Sequence, residues 1–196
     1  RKLHNDKFDS KKAAKVGLDA SLKTSIVPDD TIIDLRNLVR DYYYFKDLQS
    51  AIVLKLHAEL KVSFPAYLKV FSKITTQTSL KLLEAYPLAA DMLAAPKDEL
   101  VKTIRSTARF GEKYALAKYD AICAAAKDAA VFGRSLPSSA LRIRLYIKTY
   151  REYQEYLDSI LKELHKAVDK LEGTPAYDRI VLLQSLRGVG FLSAVV

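Results

Sequence analysis

Apolar residues recur at intervals of three and four over long stretches of the chain, which is the spacing of a buried helix face. In the first long stretch these positions run from Leu35 to Leu60, and no proline interrupts them before Pro65. Thr31, followed by Asp34 three residues later, is typical of a helix start. The pattern predicts a helix of about 33 residues, which is ~50 Å long and therefore needs a packing partner along its length.

The most regular pattern lies in a second long helix, predicted from about Ser138 to Glu172 and closed by Gly173. Its apolar positions alternate spacings of three and four, the heptad repeat of a coiled coil. These heptad residues are Ile143, Tyr146, Tyr150, Tyr153, Leu157, Ile160, Leu164, Ala167 and Leu171. A heptad identifies a buried face but not the chain that covers it. Two alternatives therefore stay open: packing within one chain, or oligomerisation through these residues as a homodimer or higher oligomer.

Between and after the long helices, shorter helical segments are punctuated by prolines and glycines. One is predicted from Glu112 to Phe132, with Gly133 as a left-handed cap. After Gly173, Thr174 and Pro175 begin a further helix, because proline is favoured in a first turn. The chain is therefore predicted to be all-α.

The composition is that of a globular protein. The 196 residues are 49% hydrophobic and 28% charged, with only six glycines and six prolines, which excludes a disordered tail or a collagen-like repeat. No apolar run reaches the ~18 residues of a membrane span, and the amino end does not resemble a signal peptide. We expect a soluble, cytoplasmic protein that binds no membrane. Since the chain begins without Met and ends within an apolar stretch, we also expect a fragment of a longer protein.

The charge balance favours a polyanionic partner. Lysine and arginine number 32 against 23 acids, which gives a formal net charge of +9 and favours nucleic acid. Between Asp128 and Glu152 there is no acid, and the basic residues there are Arg134, Arg142, Arg144, Lys148 and Arg151. The last three lie at i, i+4 and i+7, on the side of the helix away from the heptad. This stripe, together with Arg142, predicts phosphate binding without sequence preference; an ordinary solvated face is the alternative, although such faces usually mix signs.

Two further places are candidates for nucleic-acid binding. Arg36 and Arg40 lie one turn apart on the first long helix, and three consecutive tyrosines at 42–44 follow them, so that arginines for phosphate and aromatic rings for stacking share one region. Core packing is the structural alternative for most of these tyrosines. Near the carboxy end, a turn between helices contains Gly188 and Gly190, where exposed backbone amides can bind a phosphate; a tight turn without a ligand is the alternative.

Two carboxylates near the amino end form a weak metal motif. Asp6 and Asp9 lie three residues apart, hence on one face of a helix, where they can share a hard divalent cation. Capping of a first helical turn is the more common use of such a pair. The three histidines and the single cysteine have no metal-ligand spacing.

Four short segments, taken in order, resemble a known family. They are Asn-Asp-Lys-Phe-Asp-Ser-Lys-Lys at 5–12, Leu-Arg-Asn-Leu-Val-Arg at 35–40 after Pro28, Ser-Leu-Lys-Leu-Leu-Glu-Ala-Tyr-Pro at 79–87, and Leu-Leu-Gln-Ser-Leu-Arg-Gly-Val-Gly at 182–190. Their order and spacing are similar to those of insertion-sequence transposases of the IS-one-ten type. That family consists of bridge-RNA-guided DNA recombinases with an Asp-Glu-Asp-Asp resolvase-like nuclease domain and a serine transposase domain.

The resemblance implies a role for each part of the chain. Residues 1–64 would be the carboxy-terminal part of the resolvase-like domain, 65–172 a helical middle region containing the coiled coil 138–172, and 173–196 the helix-hairpin-helix start of the transposase domain. Asp6 and Asp9 would be the catalytic third and fourth acids of the tetrad and would hold Mg²⁺ in the full-length parent. The partners would be DNA and a guide (bridge) RNA, and this segment alone would be inactive. A non-enzymatic helical nucleic-acid-binding or scaffold protein is the alternative.

Overall fold

The computed structural model describes residues 6–18, 29–107 and 111–195, and every regular element within these ranges is helical. The prediction of an all-α fold is thus confirmed. The elements are α1 (Asp6–Gly17), α2 (Asp30–Ser63), a 3-10 helix (Pro65–Lys69), α3 (Gln77–Ala85), α4 (Ala89–Ala94), α5 (Lys97–Thr107), α6 (Glu112–Phe132), α7 (Ser139–Asp169), α8 (Pro175–Ser185) and α9 (Phe191–Val195).

The chain divides into two compact units, Arg1–Asp34 and Leu35–Val196. The second unit contains both positions, 64 and 172, at which the resemblance places domain boundaries, and those boundaries stay a prediction. Helix α2 belongs to both units and is 34 residues long, close to the predicted length.

Helix α2 begins slightly earlier than its sequence indicates. The carbonyl of Asp29 accepts hydrogen bonds from the backbone N–H groups of Ile32 and Ile33, at 2.9 and 3.0 Å. Asp30 is therefore the first helical residue, and its acidic side chain lies where the helix dipole favours a negative charge. Thr31 lies inside the first turn, so it does not cap the helix.

The core of the second unit lies between the carboxy-terminal half of α2, the short helices α3 to α6 and the first half of α7. Helix α6 packs against the 3-10 helix, α4 and α5. Small side chains on its buried face allow this close approach on several sides. The buried alanines of α6 are Ala115, Ala125, Ala126 and Ala129.

Tyr67, in the 3-10 helix, is fully buried at the centre of this core. Its ring lies 5.0 Å from that of Phe64 and 5.5 Å from that of Phe71, measured between ring centroids. The phenol O–H has the backbone carbonyl and the hydroxyl of Ser79 within 3.2 Å. A buried hydroxyl needs such partners, and the pair joins the 3-10 helix to α3.

We expect Tyr67 to make the fold sensitive to alkali. Burial raises the pKa of the Tyr67 phenol above its usual value, whereas in the unfolded chain it ionises near pH 10. The neutral phenol of Tyr67 therefore makes its full contribution to stability below about pH 10. As the pH rises further, this contribution declines by up to about 1.4 kcal/mol per pH unit. Denaturant unfolding at several pH values should show a smaller loss above pH 10 for Tyr67→Phe than for the parent. Identical pH dependences would contradict this assignment.

The end of α6 differs from its predicted cap. Gly133 has φ −83° and ψ 148°, an extended conformation open to any residue, so the prediction of a left-handed cap is wrong. Glycine is needed there for space: a Cβ atom would lie 2.6 Å from the carbonyl oxygen of Ala129 and 2.7 Å from that of Ser63. The N–H of Arg134 then donates to the carbonyl of Val62 at 2.9 Å. The chain after α6 is thus held against the end of α2.

Helix α7 ends at Asp169, three residues before the predicted end at Glu172. The helix is followed by turns up to Gly173, whose φ of +80° is the left-handed conformation that favours glycine. Thr174 then caps α8, because its hydroxyl accepts from the N–H of Tyr177 at 3.3 Å, and Pro175 occupies the first turn.

Candidate nucleic-acid interface

Helix α7 pairs with α2 through its heptad side. Arg142 contacts the carboxylate of Glu59, with Nη2 3.1 Å from Oε1. Further along, Gln154 Oε1 accepts from Gln49 Nε2 at 3.0 Å. The ring of Phe45, one turn before Gln49 on α2, contacts Tyr153 and Tyr156, which lie on either side of Gln154 in the sequence of α7. Residues later in α2 contact residues earlier in α7, so the two long helices are antiparallel.

The heptad residues of α7 are partly covered within one chain. Three are buried, Ile143, Leu157 and Leu164, and the flanking Ile147 and Val168 are buried too. The remaining members are half-buried: Tyr146, Tyr150, Tyr153, Ile160, Ala167 and Leu171. Pairing with α2 corresponds to the intrachain alternative. Self-association through this face stays a prediction.

The predicted basic stripe lies on the other side of α7. Lys148 has 73% of its side-chain surface exposed and lies 3.9 Å from Glu152 on the same helix. Arg144 is exposed as well, and 37% of the side-chain surface of Arg151 is exposed to solvent. We call Arg144, Lys148 and Arg151 the basic face.

Two members of the basic face contact α3. The Nε–H of Arg144 donates to the backbone carbonyl of Glu84 at 3.0 Å. Nη1 of Arg151 lies 3.0 Å from Oε1 and 2.7 Å from Oε2 of the Glu84 carboxylate. Lys81, one turn before Glu84 on α3, is exposed and adds a positive charge to the helix that meets the basic face.

Glu84 is the partner of the basic face that the sequence does not predict. It lies 60 residues from Arg144 and 67 from Arg151 along the chain. A periodicity argument treats each helix separately and cannot find a contact between two of them. The only sequence signal is that Glu84 falls near the end of α3, where its charge faces the unfavourable end of the helix dipole and benefits from a cation.

Arg142 is placed apart from the basic face. It forms the ion pair with Glu59, whose side chain is only 10% exposed, and both lie between α2 and α7. This position favours a structural role, because withdrawing Arg142 to bind a phosphate would leave a largely buried carboxylate unpaired.

Arg36 and Arg40 lie together on α2 as predicted. With Val39 and Tyr43 they line a groove of about 350 Å³. Of the three tyrosines, Tyr42 is half-buried while Tyr43 and Tyr44 are 49% and 60% exposed. Two rings are thus accessible for stacking.

This groove is separate from the basic face. Phe45 of α2 contacts Tyr153 and Tyr156, and Arg36 and Arg40 precede Phe45. In an antiparallel pair they therefore lie beside the carboxy-terminal half of α7, away from its basic half. Arg36 and Arg40 lie together on α2, and the arginines of the basic face lie together on α7. The groove and the basic face do not form one site.

The turn with Gly188 and Gly190 joins α8 to α9. Gly188 has φ +92°, which explains the glycine, and both residues are exposed. The carbonyl of Gly190 accepts from the N–H of Ser193 and that of Ala194, each at 3.0 Å, and so begins α9. The ring of Phe191 stacks on His165 of α7 with centroids 4.0 Å apart, which holds the turn beside α7. Phosphate binding by this turn stays a prediction.

The two candidate metal ligands lie three residues apart on α1. Asp9 is exposed, while the side chain of Asp6 lies outside the part of the chain that the structure describes. Among the described side chains, no three or more histidine, cysteine, aspartate or glutamate residues form a group able to hold a metal ion. Catalysis and Mg²⁺ binding by this pair stay predictions of the resemblance.

None of the helices in the described ranges is long and apolar enough to cross a membrane. Comparison of the chain with protein-family models, with curated proteins and with solved structures found no match.

Proposed function

We propose that this chain binds nucleic acid through the basic face of α7. The observation that carries the proposal is the line of three cations, Arg144, Lys148 and Arg151, on the side of a long helix that lies opposite its contacts with α2. A helix held in this way keeps its cations in a defined line. Arg144 and Arg151 are separated by about 10 Å along the axis, with Lys148 between them.

Electrostatics favours a phosphate backbone as the ligand. A DNA strand carries one phosphate per ~3.4 Å of helix axis, so a 10 Å row of three cations faces several phosphates at once. The net charge of +9 adds long-range attraction for such a polyanion. Contacts of this kind position a nucleic acid without reading its sequence. RNA and duplex DNA are therefore both expected to bind.

We further propose that the chain is a segment of an RNA-guided DNA recombinase of the IS-one-ten type. This proposal is supported by the order of the four resembling segments and by the position of Asp6 and Asp9 three residues apart on α1. In that setting RNA would choose the sequences and the protein would hold nucleic-acid backbones. A longer reading frame with an upstream Asp and Glu and a downstream Ser-Gly would favour the recombinase over a non-enzymatic helical binding protein.

Nucleic-acid binding is tested by removing the basic face. The variant Arg144→Ala, Lys148→Ala, Arg151→Ala should bind a random-sequence 20-base-pair duplex at least about tenfold more weakly than the parent at low salt, because its phosphate contacts are lost. Fluorescence anisotropy of a labelled duplex measures this change.

A matched control separates the basic face from net charge. Lys55→Ala, Lys61→Ala, Lys127→Ala also removes three exposed cations, but from α2 and α6. The control should retain most of the parent affinity. Equal weakening of both variants, or parent-like binding by the variant without the basic face, would reject the proposed interface.

A further inference from the structure

Arg144 and Arg151 of the basic face both contact Glu84 of α3. The two contacts differ in kind. Arg144 donates to the backbone carbonyl of Glu84, and Arg151 pairs with its side-chain carboxylate. One acidic residue thus lies between two cations that, under the proposed function, bind phosphate.

The Arg144 contact belongs to the end of α3. Glu84 is the penultimate residue of this nine-residue helix, and its carbonyl is one of the last four, which have no partner within the helix. A cation is favoured at that end of the helix dipole. Because the acceptor is a backbone oxygen, the contact persists when the Glu84 side chain is changed.

The Arg151 contact is of a kind that exchanges readily. Both side chains are partly exposed, 37% for Arg151 and 45% for Glu84, and exposed ion pairs contribute only ~0 to 1 kcal/mol to stability. A guanidinium donates hydrogen bonds to carboxylate and to phosphate oxygens in the same planar geometry. A nucleic-acid phosphate therefore competes directly with the Glu84 carboxylate for Arg151.

Docking of α3 on α7 does not depend on that carboxylate. Leu80, Leu82 and Leu83 of α3 are fully buried in the core. Removing the charge of Glu84 should leave α3 in place, so its effect on binding can be measured in a folded protein.

We propose that the Glu84 carboxylate occupies a phosphate position on the basic face and is displaced from Arg151 when nucleic acid binds. Glu84 is then a positioning residue: it holds Arg151 in line with Arg144 and Lys148, and it lowers the affinity of the face for weakly held nucleic acid. The proposal rests on the proposed function, since it assigns a competitor to the same surface.

The test replaces the carboxylate with an amide of the same shape. Glu84→Gln should bind the 20-base-pair duplex about two- to fivefold more tightly than the parent, the range set by one exposed ion pair. Glu172→Gln is the charge-matched control. It changes an exposed residue beyond the end of α7, and ~27 Å of helix separates Arg151 from Asp169, the last residue of α7. Its affinity should stay within the error of the parent value.

A double-mutant cycle tests whether the effect passes through Arg151. In an Arg151→Ala background, Glu84→Gln should give a clearly smaller gain in affinity than in the parent, because the arginine that it releases is absent and only the repulsion between carboxylate and phosphate is removed. A purely structural role of Glu84 would change affinity equally in both backgrounds. Circular dichroism and thermal unfolding of each variant confirm that the compared proteins are folded.

The outcomes separate this proposal from the proposed function. If the parent binds the duplex through the basic face but Glu84→Gln binds with unchanged or lower affinity, Glu84 is not a competitor and only this inference fails. An equal gain from Glu84→Gln in the Arg151→Ala background also overturns it. If the parent does not bind duplex or RNA, the proposed function and this inference fail together.

Discussion

Replacing Leu157 and Leu164 with glutamate should unfold the second unit of the protein. The two leucines are 2% and 0% exposed within a single chain. Each substitution places a carboxylate without a partner in an apolar environment, which costs several kcal/mol. Together the two changes are comparable with the whole stability of a typical domain, about 5 to 15 kcal/mol. The expected result is loss of the cooperative thermal transition and of most helical signal in circular dichroism.

The matched control makes the same chemical change on the exposed side of α7. Leu141 and Leu145 are 60% and 49% exposed, so Leu141→Glu with Leu145→Glu should retain a thermal transition close to that of the parent.

Sedimentation of the Leu157→Glu, Leu164→Glu variant distinguishes the two alternatives for the heptad. A folded monomer derived from a larger parent species would contradict intrachain packing and support an interchain seam.

If the chain is a segment of the proposed recombinase, Asp9→Asn in the full-length protein should abolish Mg²⁺-dependent strand exchange. If Asp9 is a metal ligand, the substitution removes a negative charge from the site and weakens the clamp on the ion. We expect a loss of at least about 100-fold in rate, since even changes to the partners of metal ligands cost about 10- to 100-fold. Asparagine keeps the size and much of the capping ability of aspartate, so thermal stability should change little.

Capping makes the opposite prediction at this position. If Asp9 only stabilises the first turn of α1, Asp9→Asn leaves strand exchange nearly intact. Asp34→Asn, an exposed acid in the first part of α2, serves as a control that removes the same charge from a position with no metal role. Full activity of the Asp9→Asn parent would eliminate the proposed catalytic role, whereas equal losses in both variants would point to a general effect of charge.

The long helices were predictable because their information is local. Periodic apolar residues and the clear stop at Pro65 define α2, which ends at Ser63. The predicted limits of α6, Glu112 and Phe132, are those observed. For α7 the heptad identified the buried face, and Gly173 has the left-handed conformation expected after a helix.

The remaining features depend on contacts between distant segments. Gly133 follows α6 as a capping glycine would, but glycine is required there because the carbonyl of Ser63, 70 residues earlier in the sequence, approaches closely. Sequence reasoning assigned Arg142 to the same basic set as Arg144, yet Glu59 of α2 holds Arg142 between the helices. The only local signal for Glu84 is its position near the end of α3, and nothing in that signal identifies α7 as the source of the cations. In each case the missing information is which helix lies opposite.

The salt dependence of duplex binding tests the proposed interface most directly. Each phosphate contact releases counterions and contributes about 0.9 to the slope of log affinity against log salt concentration. Loss of Arg144, Lys148 and Arg151 should therefore flatten the slope by up to about 2.7, and the variant lacking Lys55, Lys61 and Lys127 should keep nearly the parent slope. Equal slopes for the parent and the variant without the basic face would mean that α7 presents only a solvated surface.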